Sequence, residues 1–326
     1  MKRNILCGLQ VLSLVALAGF VALARAQSYP TKPVRIVVAF SPGGASDVIA
    51  RLVGAKLSER WTQQVVVDNR PGAGGGIGAE YVARSAPDGY TLLLGTSSEV
   101  VINPALNSKV GYDSARDFSP VAMIASIPLV LAVHPSMPVK SLKDFIALAK
   151  RHPKEINYAS SGTGTATHLG MEMLKSRAAI DIVHIPYKGG PPGAADLIAG
   201  QVQAILATPS AVLPFATGGR MRVLAITAAR RSARLPDVPT VAESGYPGFD
   251  VLLWSGVLAP AGTPRDIVTR LHAEVVKILA LNDIRENLAR QGADLDIKSP
   301  EEFSAYIVAE LAKWAKVVKD SGARLE

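Results

Sequence analysis

The chain has one cysteine, Cys7, and it falls within an N-terminal apolar segment. Once that segment is removed no thiol remains, so disulfide frameworks and cysteine metal sites are excluded. Histidines are also few. The five at positions 134, 152, 168, 184 and 272 do not cluster at metal-ligand spacing, and neither a metal nor a cofactor is expected. There is no G-x-S-x-G and no H-E-x-x-H, which removes the commonest hydrolase and metalloprotease signatures. Charged residues make up only 19% of the chain and aromatic residues 6%. No basic run interleaves with aromatics, so a nucleic-acid partner is not expected. After Gln27 no stretch is apolar enough to span a bilayer.

What is present begins with an export signal. Lys2 and Arg3 precede an almost wholly apolar run, Ile5 to Leu23, and Ala24-Arg25-Ala26 gives a small-x-small cleavage site before Gln27. Residues 1–26 read as a signal peptide that leaves the mature protein in the periplasm; an uncleaved membrane anchor is the alternative. The formal charge is +8 for the whole chain. It falls to +5 without Lys2, Arg3 and Arg25, which is mildly favourable to anions.

With 48% hydrophobic residues the remainder is globular. Strand-like runs alternate with helical ones, as in an α/β architecture. Strands are expected at Val34–Phe40, Gln64–Asp68, Tyr90–Gly95, Ile156–Ala159, Ile182–Pro186, Val202–Leu206 and Val223–Thr227. Pro120–His134 reads as one bent strand passing between domains, with Val223–Thr227 as the return. Helices are expected after Ser46 or Asp47 to about Arg60, over Ile77–Ser85, Phe145–Arg151, Ala166–Ser176 and Pro264–Leu281, and after Ser299. Ser141 with Asp144, and Ser299 with Glu302, have the spacing of capping boxes.

Two segments have the layout of a ligand loop. Phe40-Ser41-Pro42-Gly43-Gly44-Ala45-Ser46-Asp47 is a strand end, a tight turn and a helix start. Free N–H groups and the helix dipole at such a turn hold an anion without a charged side chain. The same residues also suit an ordinary βα turn in which Asp47 caps the helix. Ser160-Ser161-Gly162-Thr163-Gly164-Thr165 repeats the layout with four hydroxyls among six residues, which suits a carboxylate or its bridging waters as well as a solvated loop. His168 follows that loop and suits either ligand contact or helix capping. Trp254 suits a ligand wall or a core. A third segment, Gly74-Gly75-Gly76-Ile77-Gly78-Ala79, fits the loose dinucleotide pattern. However, five residues separate it from the preceding strand, so helix packing or cleft closure is the better reading.

Ordered segments then carry a likeness. "PVRIVVAFSPGGASDVIARL", "VVVDNRPGAGGGIGAE", "APDGYTLLLGTSS", "DFSPVAMIASIPLVLAVHPS", "YASSGTGTATHL", "VHIPYKGG" and "LPDVPTVAESGYPGF" resemble the Bug family, the TctC-type binding proteins of tripartite tricarboxylate transporters, over essentially the whole mature chain. The resemblance implies a type II periplasmic binding-protein fold: two α/β domains joined by two crossing strands, with a ligand cleft between them. The expected division is 27–126 plus 228–326 for the first domain and 127–227 for the second. It also implies that Ser41, Gly43, Gly44 and Ala45 match the first ligand loop, Thr96 and Ser97 a second contact region, and Ser161, Thr163, Gly164 and Thr165 the loop of the other domain. Similar members often carry aspartate where this chain has Ala207, followed here by Thr208, so a polar contact is missing. The function implied is capture of a small carboxylate by a monomer that serves a membrane permease. A sensor for a two-component system and a periplasmic hydrolase or isomerase are the rival readings.

Overall fold

The computed structural model describes residues 29–107, 109–232 and 235–322. The export signal read over residues 1–26 lies outside them. The chain forms two mixed sheets. The first has six strands in the order β11-β4-β10-β3-β1-β2. These are β1 (Val34–Val38), β2 (Val65–Asn69), β3 (Thr91–Thr96), β4 (Phe118–Pro128), β10 (Leu252–Pro260) and β11 (Asp294–Lys298). The second sheet runs β7-β6-β8-β5-β9, from β5 (Val130–Val133), β6 (Asn157–Ser160), β7 (Val183–Pro186), β8 (Ala204–Ala207) and β9 (Arg222–Ile226). In the first sheet β1 pairs in parallel with β2 and β3, and β10 pairs antiparallel with β3 and β4.

Both faces of the first sheet are covered, which is why its strands read as near-continuous apolar runs. Ile36, Leu92 and Val257 face one core, with α1 (Ala45–Trp61), α8 (Arg265–Leu279) and α9 (Asn282–Arg290) against it. Val37, Leu93 and Leu258 face the other. That second core includes side chains of α2 (Gly76–Ala83) and α10 (Pro300–Ser321), and continues into α4 (Leu142–Arg151) and α5 (Ala166–Ala178) under the second sheet. A smaller core lies on the far side of the second sheet, beneath α6 (Gly190–Ile198) and α7 (Pro209–Thr217).

The expected bent strand over Pro120–His134 is two strands, β4 and β5, parted at Leu129. Proline removes a ladder donor at the break. Thr227 clasps the place where the chain crosses between sheets. Its Oγ1 accepts from Leu129 N at 2.9 Å and donates to Val251 O at 2.5 Å, and its own N–H donates to Leu129 O at 3.0 Å. The return crossing is longer than expected, since residues 227–251 lie between β9 and β10. The Ser299–Glu302 capping box forms as read from the sequence, as does the Ser141 cap on the N–H of Asp144.

Candidate ligand-binding cleft

The turn between β1 and α1 is open. Gly43 has φ +87°, a conformation side chains rarely adopt. Gly44 is the N-cap of α1 and no side chain caps the helix. The expectation that Ser46 or Asp47 caps it is thereby corrected. Asp47 lies three residues further in and is turned back toward the loop. Its Oδ2 accepts from Gly43 N at 2.9 Å and Arg51 Nε at 3.0 Å, and its Oδ1 accepts from Asn69 Nδ2 at 2.9 Å. The same Asn69 amide donates to Phe40 O at 3.0 Å. Burial pushes the Asp47 carboxyl up, but the bonds from Arg51, Gly43 and Asn69 outweigh it and the net shift is downward. The carboxylate therefore braces the turn from behind. In front, the N–H groups of Gly44, Ala45, Ser46 and Asp47 meet no acceptor among the described residues. Ser41 and Gly43 are exposed; Phe40, Gly44 and Ala45 are half-buried.

The turn between β6 and α5 is the reverse, because its hydroxyls bond to the protein itself. Thr165 Oγ1 donates to Gly162 O at 2.7 Å, Ser161 N donates to Thr167 Oγ1 at 2.9 Å, and Gly162 N donates to Ser160 Oγ at 3.1 Å. Gly164 N donates to Nδ1 of His168 at 3.2 Å, which requires a neutral ring. His168 stacks on His184 with centroids 4.0 Å apart, and His184 Nε2 meets Ser160 Oγ at 2.6 Å. Burial, then Lys175, lowers His168 to about 4; burial, then His168, lowers His184 to about 3. Only the hydroxyls of Ser161 and Thr163 in this loop have no protein partner among the described residues.

The Ser160–His184 contact is a hydroxyl–imidazole pair, but it does not make a catalytic dyad. Ser160 is 1% exposed, and a ring that protonates near 3 is a poor base at neutral pH.

A third group comes from the end of β3. Thr96 was expected to face ligand, but both its donors point inward: its N–H reaches Glu99 Oε1 at 2.6 Å and its hydroxyl reaches Glu99 Oε2 at 2.5 Å. Ser97 is fully buried and its hydroxyl has no partner among the described residues. Ser98 Oγ accepts from Ala166 N, the first residue of α5, at 3.3 Å. That bond joins the two sheets' loops directly. The glycine-rich segment also runs close to the β6–α5 turn, since a Cβ on Gly74 would stand 3.6 Å from the Thr163 carbonyl oxygen. Neither Ser98 nor Glu99 was singled out from the sequence. The adjacency of Ser98 to the expected Thr96-Ser97 was the available signal.

The remaining candidates lie elsewhere or offer little. Ala207 ends β8 and is buried, and Thr208 Oγ1 pairs with Ser210 Oγ at 3.2 Å. Trp254 is not a cleft wall. It is 0% exposed, its ring meets Phe303 edge-on at 5.4 Å, and its Nε1 donates to Glu310 at 3.4 Å. It sits on a central strand beneath α10, which explains its burial. Two cavities of about 280 and 290 Å³ lie beside the crossing, both lined by Pro128 and Ser232. No candidate ligand residue lines either.

The sequence pattern of TctC, described as tripartite tricarboxylate transporter family receptor, matches residues 49–323. Protein BugT of Bordetella pertussis is 39% identical over 96% of this chain and 96% of its own length. The structure of R. palustris Rpa4515 with adipate superposes with a TM-score of 0.85 at 40% identity, covering 91% of this chain and 100% of that one. MatC (Rpa3494) from Rhodopseudomonas palustris with bound malate gives 0.82 at 33% identity, over 89% and 100%.

Proposed function

The chain belongs to the TctC family of tripartite tricarboxylate transporter receptors, and from that premise we propose that it captures a small carboxylate without an amino group on the turn between β1 and α1 and delivers it to a membrane permease. It is a solute-binding protein with the type II periplasmic binding-protein fold, and not an enzyme. The observation that carries the ligand reading is the uncapped start of α1: four N–H groups without acceptors among the described residues, beside the exposed backbone of Gly43, with no Lys or Arg from Phe40 to Val48. A helix start of this kind favours negative charge. Ser97, Ser161 and Thr163 supply hydroxyls with no partner among the described residues. The adipate and malate held by the two structural relatives belong to the same chemical class.

The restriction to acids without an amino group follows from charge. A buried ammonium needs an acceptor, preferably a carboxylate. The end of β8 offers Ala207, and Asp47 is already engaged by Gly43, Arg51 and Asn69. On this reading residues 27–126 with 228–326, and residues 127–227, are two domains of a monomer that close on ligand. The mature chain begins at Gln27 in the periplasm. The test is a thermal-shift panel of aspartate, glutamate, succinate, adipate, citrate, benzoate, nicotinate and terephthalate. At 100 times its dissociation constant a true ligand stabilises the fold by roughly 2.7 kcal/mol. An amino-free acid is expected to give the largest rise in Tm; aspartate or glutamate in first place would refute the argument from Ala207.

A further inference from the structure

Glu99 is a carboxylate at full burial, and no cation is paired with it among the described residues. It sits in the π-helical turn Ser98–Ile102 that follows β3. Its two oxygens take the N–H and the hydroxyl of Thr96, and its own carbonyl accepts from Tyr112 Oη at 2.5 Å. It packs so tightly against the glycine-rich segment that a Cβ on Gly75 would stand 2.7 Å from its own Cβ. The neighbouring residues are Ser97, whose buried hydroxyl lacks a partner among the described residues, and Ser98, which bonds across to α5. The same Gly75 Cβ would stand 3.2 Å from Cζ of Phe40, so a group that cannot reach solvent lies beside both candidate turns, that of Phe40 across Gly75 and that of Ala166 through Ser98.

We propose that Glu99 is a positioning residue for the anionic ligand, and that the cleft takes up a proton on this carboxyl as ligand binds. The proposal rests on the carboxylate reading above. Two negative charges close together in a poorly solvated site cannot both persist without cost. Entry of an anion beside Ser97 favours the neutral form of Glu99, which still accepts from Thr96. The free protein is already poised for this, since burial raises Glu99 to about 7 against the lowering effect of the Thr96 bonds.

The other titratable groups around the turn are accounted for. Tyr112 is pushed up by burial and stays neutral. Glu80 of α2 pairs with Arg84. Glu310 of α10 is bonded by the Trp254 and Trp314 indoles and pairs with Lys313. His168 of α5 is neutral above pH 6, as is His184 behind it.

The first arm of the test needs no ligand. Glu99 has a folded-state pKa above its unfolded value of about 4.5, so the stability it contributes is present below that value and is lost as pH rises through about 7. Glu99→Gln removes that loss, and the difference in Tm between variant and wild type is expected to widen in the variant's favour from pH 5 to pH 8. The second arm is calorimetry with the panel acid that gives the largest thermal shift, on wild-type protein, in buffers of different ionisation heat at pH 7.5. Uptake of a substantial fraction of a proton per ligand is expected, and affinity falls severalfold between pH 6.5 and pH 8.5. Glu99→Gln is expected to bind with a flat profile over that range. Zero proton uptake in wild type, or the same pH slope in the variant, overturns the proposal. If the ligand-free difference persists while no acid in the panel binds, the carboxylate reading fails, and the ligand half of the proposal fails with it.

Discussion

The turns β1–α1 and β6–α5 have the same design on paper: a strand, a glycine-containing loop and a helix start. They differ in how their polar groups are used. In the second, the hydroxyls of Ser160, Thr165 and Thr167 and the His168 ring bond the loop to itself, and Ser98 caps Ala166. In the first, Asp47 and Asn69 brace the loop and leave the N–H groups of Gly44–Asp47 without an acceptor among the described residues. A loop rich in hydroxyls is thus mostly framework here, whereas a loop poor in side chains keeps its donors free. On the proposed reading, the anion-binding capacity lies where the side chains are absent.

Acid provides the largest expected break between the two. His168 and His184 have folded-state pKa values below that of the unfolded chain, at about 4 and about 3. Stability that depends on their neutrality is present above about 6.5 and is lost as pH falls. The pair is expected to cost roughly 3–4 kcal/mol between pH 7.5 and pH 5. Hydrogen-exchange protection at the amides of Ser161 and Gly164 should fall over that range before protection at Gly43, whose partner Asp47 has a lowered pKa. Loss at Gly43 first would reverse the assignment of framework and site.

Next in size is bulk at the open turn. Gly44 has φ −77°, and a Cβ there meets nothing closer than Ser41 O at 3.9 Å. Gly44→Leu should therefore fold normally yet block the N–H groups. Affinity for the acid is expected to drop roughly 100-fold, or about 2.7 kcal/mol, while Tm without ligand moves little. Replacing any single exposed lysine should do far less. A lysine variant that abolishes binding while Gly44→Leu binds normally would show that a cation, not the helix start, holds the ligand.

A smaller effect is expected at the contact between the two turns. Ser98→Ala removes the acceptor for Ala166 N. Loss of one such hydrogen bond costs about 0.5–1.5 kcal/mol, so titration calorimetry should read a three- to tenfold weaker affinity if the bond forms as the domains close. Unchanged affinity with lowered stability would make the contact permanent rather than ligand-linked.

Much of this was legible in the sequence where a local rule applies. The apolar runs of β1 and β3, the Ser299–Glu302 box and the layout of the two strand–glycine–helix turns announce themselves by composition and spacing. The helices α6 and α7 do not, because Gly190-Pro191-Pro192 and Pro209 look like breakers although proline is well suited to a first helical turn. The inward bonding of Trp254 and Thr96 was not legible for a different reason. The partners that engage them, Glu310 and Glu99, act through tertiary burial that no spacing reveals.

The central claim is that the backbone at the start of α1 holds the carboxylate. Amide proton shifts of labelled protein, followed while the best acid of the thermal-shift panel is added, test it most directly. Downfield movement concentrated at Gly44, Ala45 and Ser46 is the predicted result, because a carboxylate accepting from an N–H deshields that proton. If those three amides stay in place at saturation while the largest shifts fall on Lys or Arg side-chain signals, the account is wrong.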